Sequence, residues 1–180
     1  MKIIFRGIAA AVIAMGVTIG SADAQTRVDA KKDWSVFEAT SGGNKVCWIV
    51  SQPTKKTAKR GGKDVTSSVT RGDIFLMVAV RKADKVKNEV SFLAGYPFKD
   101  GSKVTVTVNS SRGATKFTLF TDNENAWTSS PQEDDKLTKA FRGGRNAVIT
   151  GTSRRGTTTT DTFSLSGFTA AIKAAQARCK

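Results

Sequence analysis

The sequence predicts an all-β domain, a sandwich or barrel of short antiparallel strands, on three observations. Val104-Thr105-Val106-Thr107-Val108 alternates strictly, with three valines on one side and two threonines on the other. Ile74 to Val80 is an unbroken apolar run of strand length, the pattern of a central strand covered on both faces. Turn residues recur at Gly42-Gly43, Gly61-Gly62, Asp100-Gly101, Gly143-Gly144 and Gly156, a spacing that suits strands of about 8 residues.

Taken in order, the expected strands are Trp34 to Thr40, Lys45 to Gln52, Ile74 to Arg81, Glu89 to Gly95, Lys103 to Asn109, Thr115 to Thr121, Ala147 to Thr152 and Thr157 to Leu165. Two helices interrupt them. Ser130-Pro131-Gln132-Glu133 supplies an N-cap serine, a proline at the first helical position and a glutamate three residues after the cap, so a short internal helix should run to about Phe141 and stop at Gly143-Gly144. Phe168, Ala171, Ile172 and Ala175 recur at helical spacing and predict a C-terminal amphipathic helix that carries Cys179 at its tail. No internal repeat and no dividing linker is visible.

Residues 1 to 24 have the zones of a cleavable secretory signal peptide: basic Lys2 and Arg6, an apolar run from Ile8 to Ile19, and Ser21-Ala22-Asp23-Ala24 as a small-residue site. An apolar run of about 12 residues is short for a transmembrane span, which needs about 20. Residues 25–180 are then expected to form one exported domain with no transmembrane segment, by the Sec route to the periplasm, the outer-membrane surface or the medium. Peripheral association with the envelope remains open to it. In that setting Cys47 and Cys179 should be joined, closing a 132-residue loop. They lack C-x-x-C spacing, so no thioredoxin-like role is expected.

The chain has 29 Lys+Arg, 15 Asp+Glu and no histidine, a formal net charge of +14. Without imidazole there is no Ser-His-Asp triad, no Cys-His dyad and no His-based zinc site. Losing Lys2, Arg6 and Asp23 with the leader would still leave 27 basic against 14 acidic residues, so the basicity belongs to the domain. Lys55, Lys56, Lys59, Arg60 and Lys63 concentrate it into a candidate anion-binding loop for lipopolysaccharide, anionic lipid or another acidic polymer. The plainer reading is a solvated hairpin whose charges protect an edge strand. Arg81, Lys82, Lys85, Lys87, Arg154 and Arg155 could extend the patch. Nucleic acid is the less supported partner, because no stacking aromatic interleaves the basic residues.

Other motifs favour structural readings. Arg71-Gly72-Asp73 has the form of an integrin-binding tripeptide, yet Gly-Asp ahead of Ile74 is also a turn feeding a buried strand. Glu133, Asp134 and Asp135 suit the positive end of the internal helix, and the adjacent Asp134 and Asp135 do not face one another as glycosidase carboxylates would. Asp122 and Glu124 are too few oxygen ligands for calcium, and no metal or cofactor is predicted. The threonine run 157–160 reads as a strand, with no recognisable base to activate a nucleophile. Trp34, Trp48 and Trp127 would serve packing more readily than a carbohydrate platform.

Several blocks together resemble one family: Gly72-Asp73-Ile74-Phe75-Leu76-Met77-Val78, Asn88-Glu89-Val90-Ser91, Gly95-Tyr96-Pro97-Phe98-Lys99-Asp100-Gly101-Ser102, Phe117-Thr118-Leu119-Phe120, Ala126-Trp127, and a closing block from Arg155 through Thr157-Thr158-Thr159-Thr160-Asp161-Thr162-Phe163 to Phe168 with the terminal Cys179. They are similar, in order, to the invasion-associated locus B family of alphaproteobacterial exported proteins. The resemblance implies an immunoglobulin-like antiparallel β-sandwich and no enzymatic activity, and it offers no catalytic residue to transfer. The expected function is therefore a non-enzymatic envelope or surface-associated protein that binds an envelope component or a host-surface protein. The alternatives are an electrostatic binder of anionic envelope polymers such as lipopolysaccharide, and an unrecognised hydrolase working without histidine.

Overall fold

The computed structural model describes residues 25–179. The leader assigned to residues 1–24 lies outside the described residues, as does Lys180. Twelve antiparallel strands form one hydrogen-bonded ladder: β1 (Thr26–Lys31), β2 (Trp34–Ser41), β3 (Asn44–Ser51), β4 (Lys55–Arg60), β5 (Lys63–Asp64), β6 (Phe75–Arg81), β7 (Val86–Leu93), β8 (Lys103–Ser110), β9 (Gly113–Asp122), β10 (Asn125–Trp127), β11 (Asn146–Thr152) and β12 (Thr158–Ser164). Helix α1 (Pro131–Gly143) precedes β11, and α2 (Phe168–Arg178) closes the fold. The strand order is β1-β2-β3-β6-β7-β10-β9-β8-β11-β12-β4-β5, so the ladder is open, with β1 and β5 at its ends.

The ladder is folded over its own core. β7 and β12 stand five places apart in the strand order, about 24 Å across a flat sheet at about 4.8 Å per strand. Yet the rings of Phe92 on β7 and Phe163 on β12 meet edge to face at 6.1 Å. Trp34 on β2 likewise donates its Nε1–H to the Ser164 carbonyl on β12 at 3.0 Å. Such distances require the first half (β1, β2, β3, β6, β7) to face the second (β8, β9, β11, β12, β4). The inward positions alternate as strand geometry dictates: Leu76, Val78 and Val80 on β6, Val104, Val106 and Val108 on β8, Ala147 and Ile149 on β11. These side chains belong to one contiguous core cluster with the buried stripe of α2.

All eight expected strands are present. β1, the short β10 and, above all, β4 and β5 were not expected. The chain leaves β3, crosses to the far end of the ladder to pair β4 with β12, and returns to place β6 beside β3. The reading of Ile74 to Val80 as covered on both faces also needs correction. Leu76 and Val78 are buried, but Phe75, Met77 and Ala79 point outward and are partly exposed among the described residues.

Both helices lie where predicted. Ser130 caps α1 by accepting from the Glu133 amide at 3.3 Å, whereas the Glu133 carboxylate turns to Lys136 at 2.7 Å. α2 buries Phe168, Ala171, Ile172 and Ala175, packs Phe168 edge-on to Trp34 at 5.0 Å, and delivers Cys179 to Cys47 on β3. The disulfide joins residues 132 apart in sequence. In the chain-entropy model a loop of that length contributes about 5 kcal/mol. The Cys47→Ala/Cys179→Ala double variant should accordingly lose up to about 5 kcal/mol of unfolding free energy in urea titration, and a loss under about 1 kcal/mol would remove the bridge from the account of stability.

Candidate functional site

The basic residues 55–63 form a hairpin instead of a loop. β4 pairs with β12 through Lys59↔Thr158, Thr57↔Thr160 and Lys55↔Thr162, and β5 pairs with β4 through Arg60↔Lys63. Gly61 and Gly62, both at positive φ (55° and 79°), make the tight turn between them. Strand alternation divides the charges. Ala58 is buried in the core, so Lys56 and Arg60 lie on its side of the strand at the rim, while Lys55 and Lys59 project from the outer face. The hairpin ends the ladder, and its lysines blunt that edge.

This hairpin gains a neighbour that sequence alone did not place. The β11–β12 turn carries Arg154 and Arg155, and Arg60 donates its Nε–H to Thr157 Oγ1 at 2.9 Å. Arg60, Lys63, Arg154 and Arg155 therefore occupy one end of the sheet, all exposed. Two carboxylates lie close by. Asp64 accepts from the Thr66 amide at 2.8 Å, and hydrogen bonds from Thr66 hold its carboxyl below the ordinary carboxylate value. Asp100 approaches Arg154 at 3.8 Å, with both groups in solvent. Neither cancels the cluster. Arg81, Lys82, Lys85 and Lys87 lie instead about the β6–β7 turn, where Arg81 pairs with Glu89 (2.7 Å) and Asp84 (3.1 Å), so they do not extend this patch.

Arg71-Gly72-Asp73 is not presented as an adhesion tripeptide. The Arg71 guanidinium is directed inward, where it donates to both carboxylate oxygens of Asp161 (2.7 and 2.8 Å) and twice to the Ala94 carbonyl (3.1 and 2.7 Å). Its side chain is 10% exposed and that of Asp161 is 0% exposed. The Tyr96 ring covers the guanidinium at 5.0 Å, and the Tyr96 hydroxyl bonds Thr159 Oγ1 at 2.6 Å. Burial pushes the Tyr96 phenol upward, against the smaller effects of Thr159 and Arg71. Gly72 donates its amide to Gly95, whose φ is 70° and where a Cβ would stand 2.5 Å from the Gly72 carbonyl oxygen.

The threonine run owes its composition to the same node. Thr157, Thr159 and Asp161 are the inward, buried positions of that segment, and each meets a polar partner: Arg60, Tyr96 and Arg71. A carboxylate at an inward strand position was the signal that an arginine must come to it. The sequence reading did not use that signal.

A cleft of about 660 Å³ lies between the β6–β7 turn and the start of α1. Phe120 and Trp127 line it as directly opposed cross-strand neighbours, ring centroids 5.9 Å apart. Its carboxylates have structural partners. Asp134 accepts from the Val90 amide (2.8 Å) and the Thr128 hydroxyl (2.6 Å), Asp135 from the Asn88 amide nitrogen (2.8 Å), and Glu89 from Arg81. Asp134 and Asp135 tie α1 to β7, and Glu89 joins β7 to β6. The three tryptophans do not converge: Trp34 is in the core, Trp48 stacks on Phe37 on the outer face, and Trp127 borders the cleft. Among the described residues no three Cys, Asp or Glu side chains converge as metal ligands.

A family model described as Invasion associated locus B (IalB) protein matches residues 34–176. No curated protein and no solved structure matches the chain.

Two outcomes test this geometry. Removing one partner of a buried ion pair strands the other, so Asp161→Asn should cost about 3 to 5 kcal/mol in denaturant unfolding, and Arg71→Met/Asp161→Leu should cost less than the two single changes summed. Burial, the largest effect on Asp134, raises its carboxyl above 3.8, with the charges of Glu89 and Asp135 acting in the same direction. The folded state then holds that proton more tightly than the unfolded chain. Asp134's contribution to stability is full below pH 3.8 and is lost as pH rises through its higher folded value. Asp134→Asn should remove that segment of the stability–pH curve, and an NMR titration placing Asp134 at or below 3.8 would contradict it.

Proposed function

Because the chain belongs to the invasion associated locus B family, we propose that it is a non-enzymatic binding protein, exported to the cell envelope or its surroundings, that meets an anionic partner through the basic end of its sheet. The observation that carries this reading is the meeting of two turns, β4–β5 and β11–β12, which sets Arg60, Lys63, Arg154 and Arg155 side by side in solvent. An array of guanidinium and ammonium groups suits a repeating phosphate or carboxylate polymer, since arginine forks match those anions two bonds at a time. The Thr/Lys outer face beside it continues the polar character of the site.

Further support comes from what surrounds this end. Cys47 and Cys179 are bonded, which suits an oxidising compartment outside the cytoplasm. Among the described residues no helix is long and apolar enough to cross a membrane. In the cleft Asp134 and Asp135 are engaged in holding α1, Asp84 and Glu89 are paired with Arg81, and the chain has no imidazole. Two half-sheets face one another across the core, which favours the immunoglobulin-like sandwich that the family resemblance implies.

The partner class is read from salt dependence. Vesicles containing lipopolysaccharide should retain the protein at low ionic strength, and retention should fall by at least about tenfold between roughly 50 and 200 mM salt. Arg60→Glu/Lys63→Glu/Arg154→Glu/Arg155→Glu should abolish it at every salt concentration, and neutral vesicles should not retain either protein. Equal retention of parent and variant would refute the basic end as the contact.

A further inference from the structure

We propose that the unpaired edge of β9, between Gly113 and Leu119, takes an extended acidic segment of another polypeptide as an added strand. From Gly113 to Phe120, β9 pairs with β8 without a register shift. On its other side β10 meets it at Phe120, Thr121 and Asp122 and then ends. The rest of the strand continues past β10 with that side unpaired.

Strand alternation identifies the groups left over. The two-residue turn joining β9 to β10 closes on Asp122 and Asn125, a pair that exchanges hydrogen bonds, so Asp122 and Phe120 face β10. Every second residue back along β9 faces the same way. Ala114, Lys116 and Thr118 therefore present N–H and C=O groups to the open side, whereas Thr115, Phe117 and Leu119 direct theirs to β8. All three edge residues are exposed, and among the described residues no hydrogen-bond partner reaches their main-chain groups.

The gap arises from the path of the chain after Trp127. Instead of extending β10, it turns through Thr128 to Ser130 into α1, which is tied to β7: Asp134 accepts from the Val90 amide and Asp135 from the Asn88 side chain, both at 2.8 Å. A helix satisfies its own main chain and has no row of donors and acceptors to offer β9. The ends of the ladder differ from this edge. β1 has a register shift between Arg27 and Asp29, and β5 is two residues long, both of which discourage pairing. Between Gly113 and Leu119 there is no proline and no shift, and Lys116 is the one charged residue.

The edge selects an extended polypeptide, because a strand repeats donors and acceptors at the matching spacing. Charge narrows that to an acidic one. A groove of about 330 Å³ runs between this edge and α1, lined by Val108, Phe117 and Ala140 and by the cations Arg112, Lys136 and Lys139. The acidic side chains of α1 are engaged, Glu133 with Lys136 at 2.7 Å and Asp134 and Asp135 with β7. Arg112, Lys116 and Lys139 take part in no ion pair among the described residues. Alternate side chains of an added strand point toward this groove, and the others stand beside Lys116. A second copy fits less well: antiparallel pairing of two such edges through Ala114, Lys116 and Thr118 sets Lys116 against its own counterpart.

This proposal does not rest on the anion-binding reading. The basic end lies at the β11–β12 turn, and the pairings Thr105↔Thr150 and Asn109↔Asn146 put the β8–β9 turn at the opposite end of the same strands.

The test is amide hydrogen exchange, read by NMR on the purified, disulfide-intact protein. The probe is a blocked peptide of about seven residues that alternates glutamate with valine, added to about 1 mM. At saturation, exchange at the Ala114, Lys116 and Thr118 amides should slow at least about tenfold, while the Thr115 and Phe117 amides, already bonded to β8, stay unchanged. The same peptide N-methylated at every residue, or carrying lysine for glutamate, should not bind. Arg112→Glu/Lys139→Glu should weaken binding at least about tenfold. Both side chains are exposed, and should that variant fail to fold, the methylated and lysine peptides decide the matter on the unaltered protein. Absence of binding, binding that leaves the three edge amides unprotected, undiminished binding of either control peptide, or unchanged affinity in the folded variant overturns the proposal. Protection of these amides that grows with protein concentration in the absence of peptide assigns the edge to a second copy and overturns it equally.

Discussion

The fold turns on one buried pair of opposite charges. Arg71 stands on the segment that returns the chain from the far end of the ladder to β6, and Asp161 lies on β12. Neither ion could be buried alone, because each would forfeit its hydration without compensation. Together, with Ala94 and the Tyr96 ring taking up the remaining guanidinium surface, they are satisfied only if the first half of the sheet closes over the second. Apolar side chains would tolerate several packings of two twisted half-sheets. A bidentate ion pair with 2.7 and 2.8 Å bonds tolerates one.

From that closure follow two outer surfaces of opposite character. The half-sheet built on β8, β9, β11, β12 and β4 shows water mainly threonines and lysines, with Val148 and Phe120 among them, and its exposed edge is guarded by charge. The half-sheet built on β2, β3, β6 and β7 shows water aromatic and aliphatic side chains. One chain thus carries a polar, cationic pole and a more apolar face bordered by Arg27, Lys87 and the Arg81–Glu89 pair.

Strands with a clean local signature were legible from sequence. Alternation located β8, the capping serine and Pro131 located α1, and the Phe168-Ala171-Ile172-Ala175 stripe located both α2 and the face it buries. β4 was not legible, since Lys55-Lys56-Thr57-Ala58-Lys59-Arg60 has only one buried side chain. It is a strand because β12 offers it a hydrogen-bonding edge, a tertiary cause that no local pattern records. The basic cluster was half legible for the same reason: residues 55–63 could be seen as charged, but their meeting with Arg154 and Arg155 depends on the β12–β4 register. Arg71 was read as part of a tripeptide because its partner lies 90 residues away. The run Ile74 to Val80 was read correctly as a strand and incorrectly as enclosed, because a hydrophobic pattern reports that a face needs cover and not which molecule supplies it.

The Cys47–Cys179 bridge has a topological consequence beyond the free energy of folding. Its loop encloses every connection from the exit of β3 to the end of α2, including the exposed turns at Gly61-Gly62, Asp100-Gly101 and Arg154-Arg155-Gly156. A single proteolytic nick anywhere in that span leaves two fragments still covalently attached, each holding strands that the other needs. In a protease-rich exterior such a molecule can lose a peptide bond without losing a piece, and the cut becomes visible only once a reductant releases the halves.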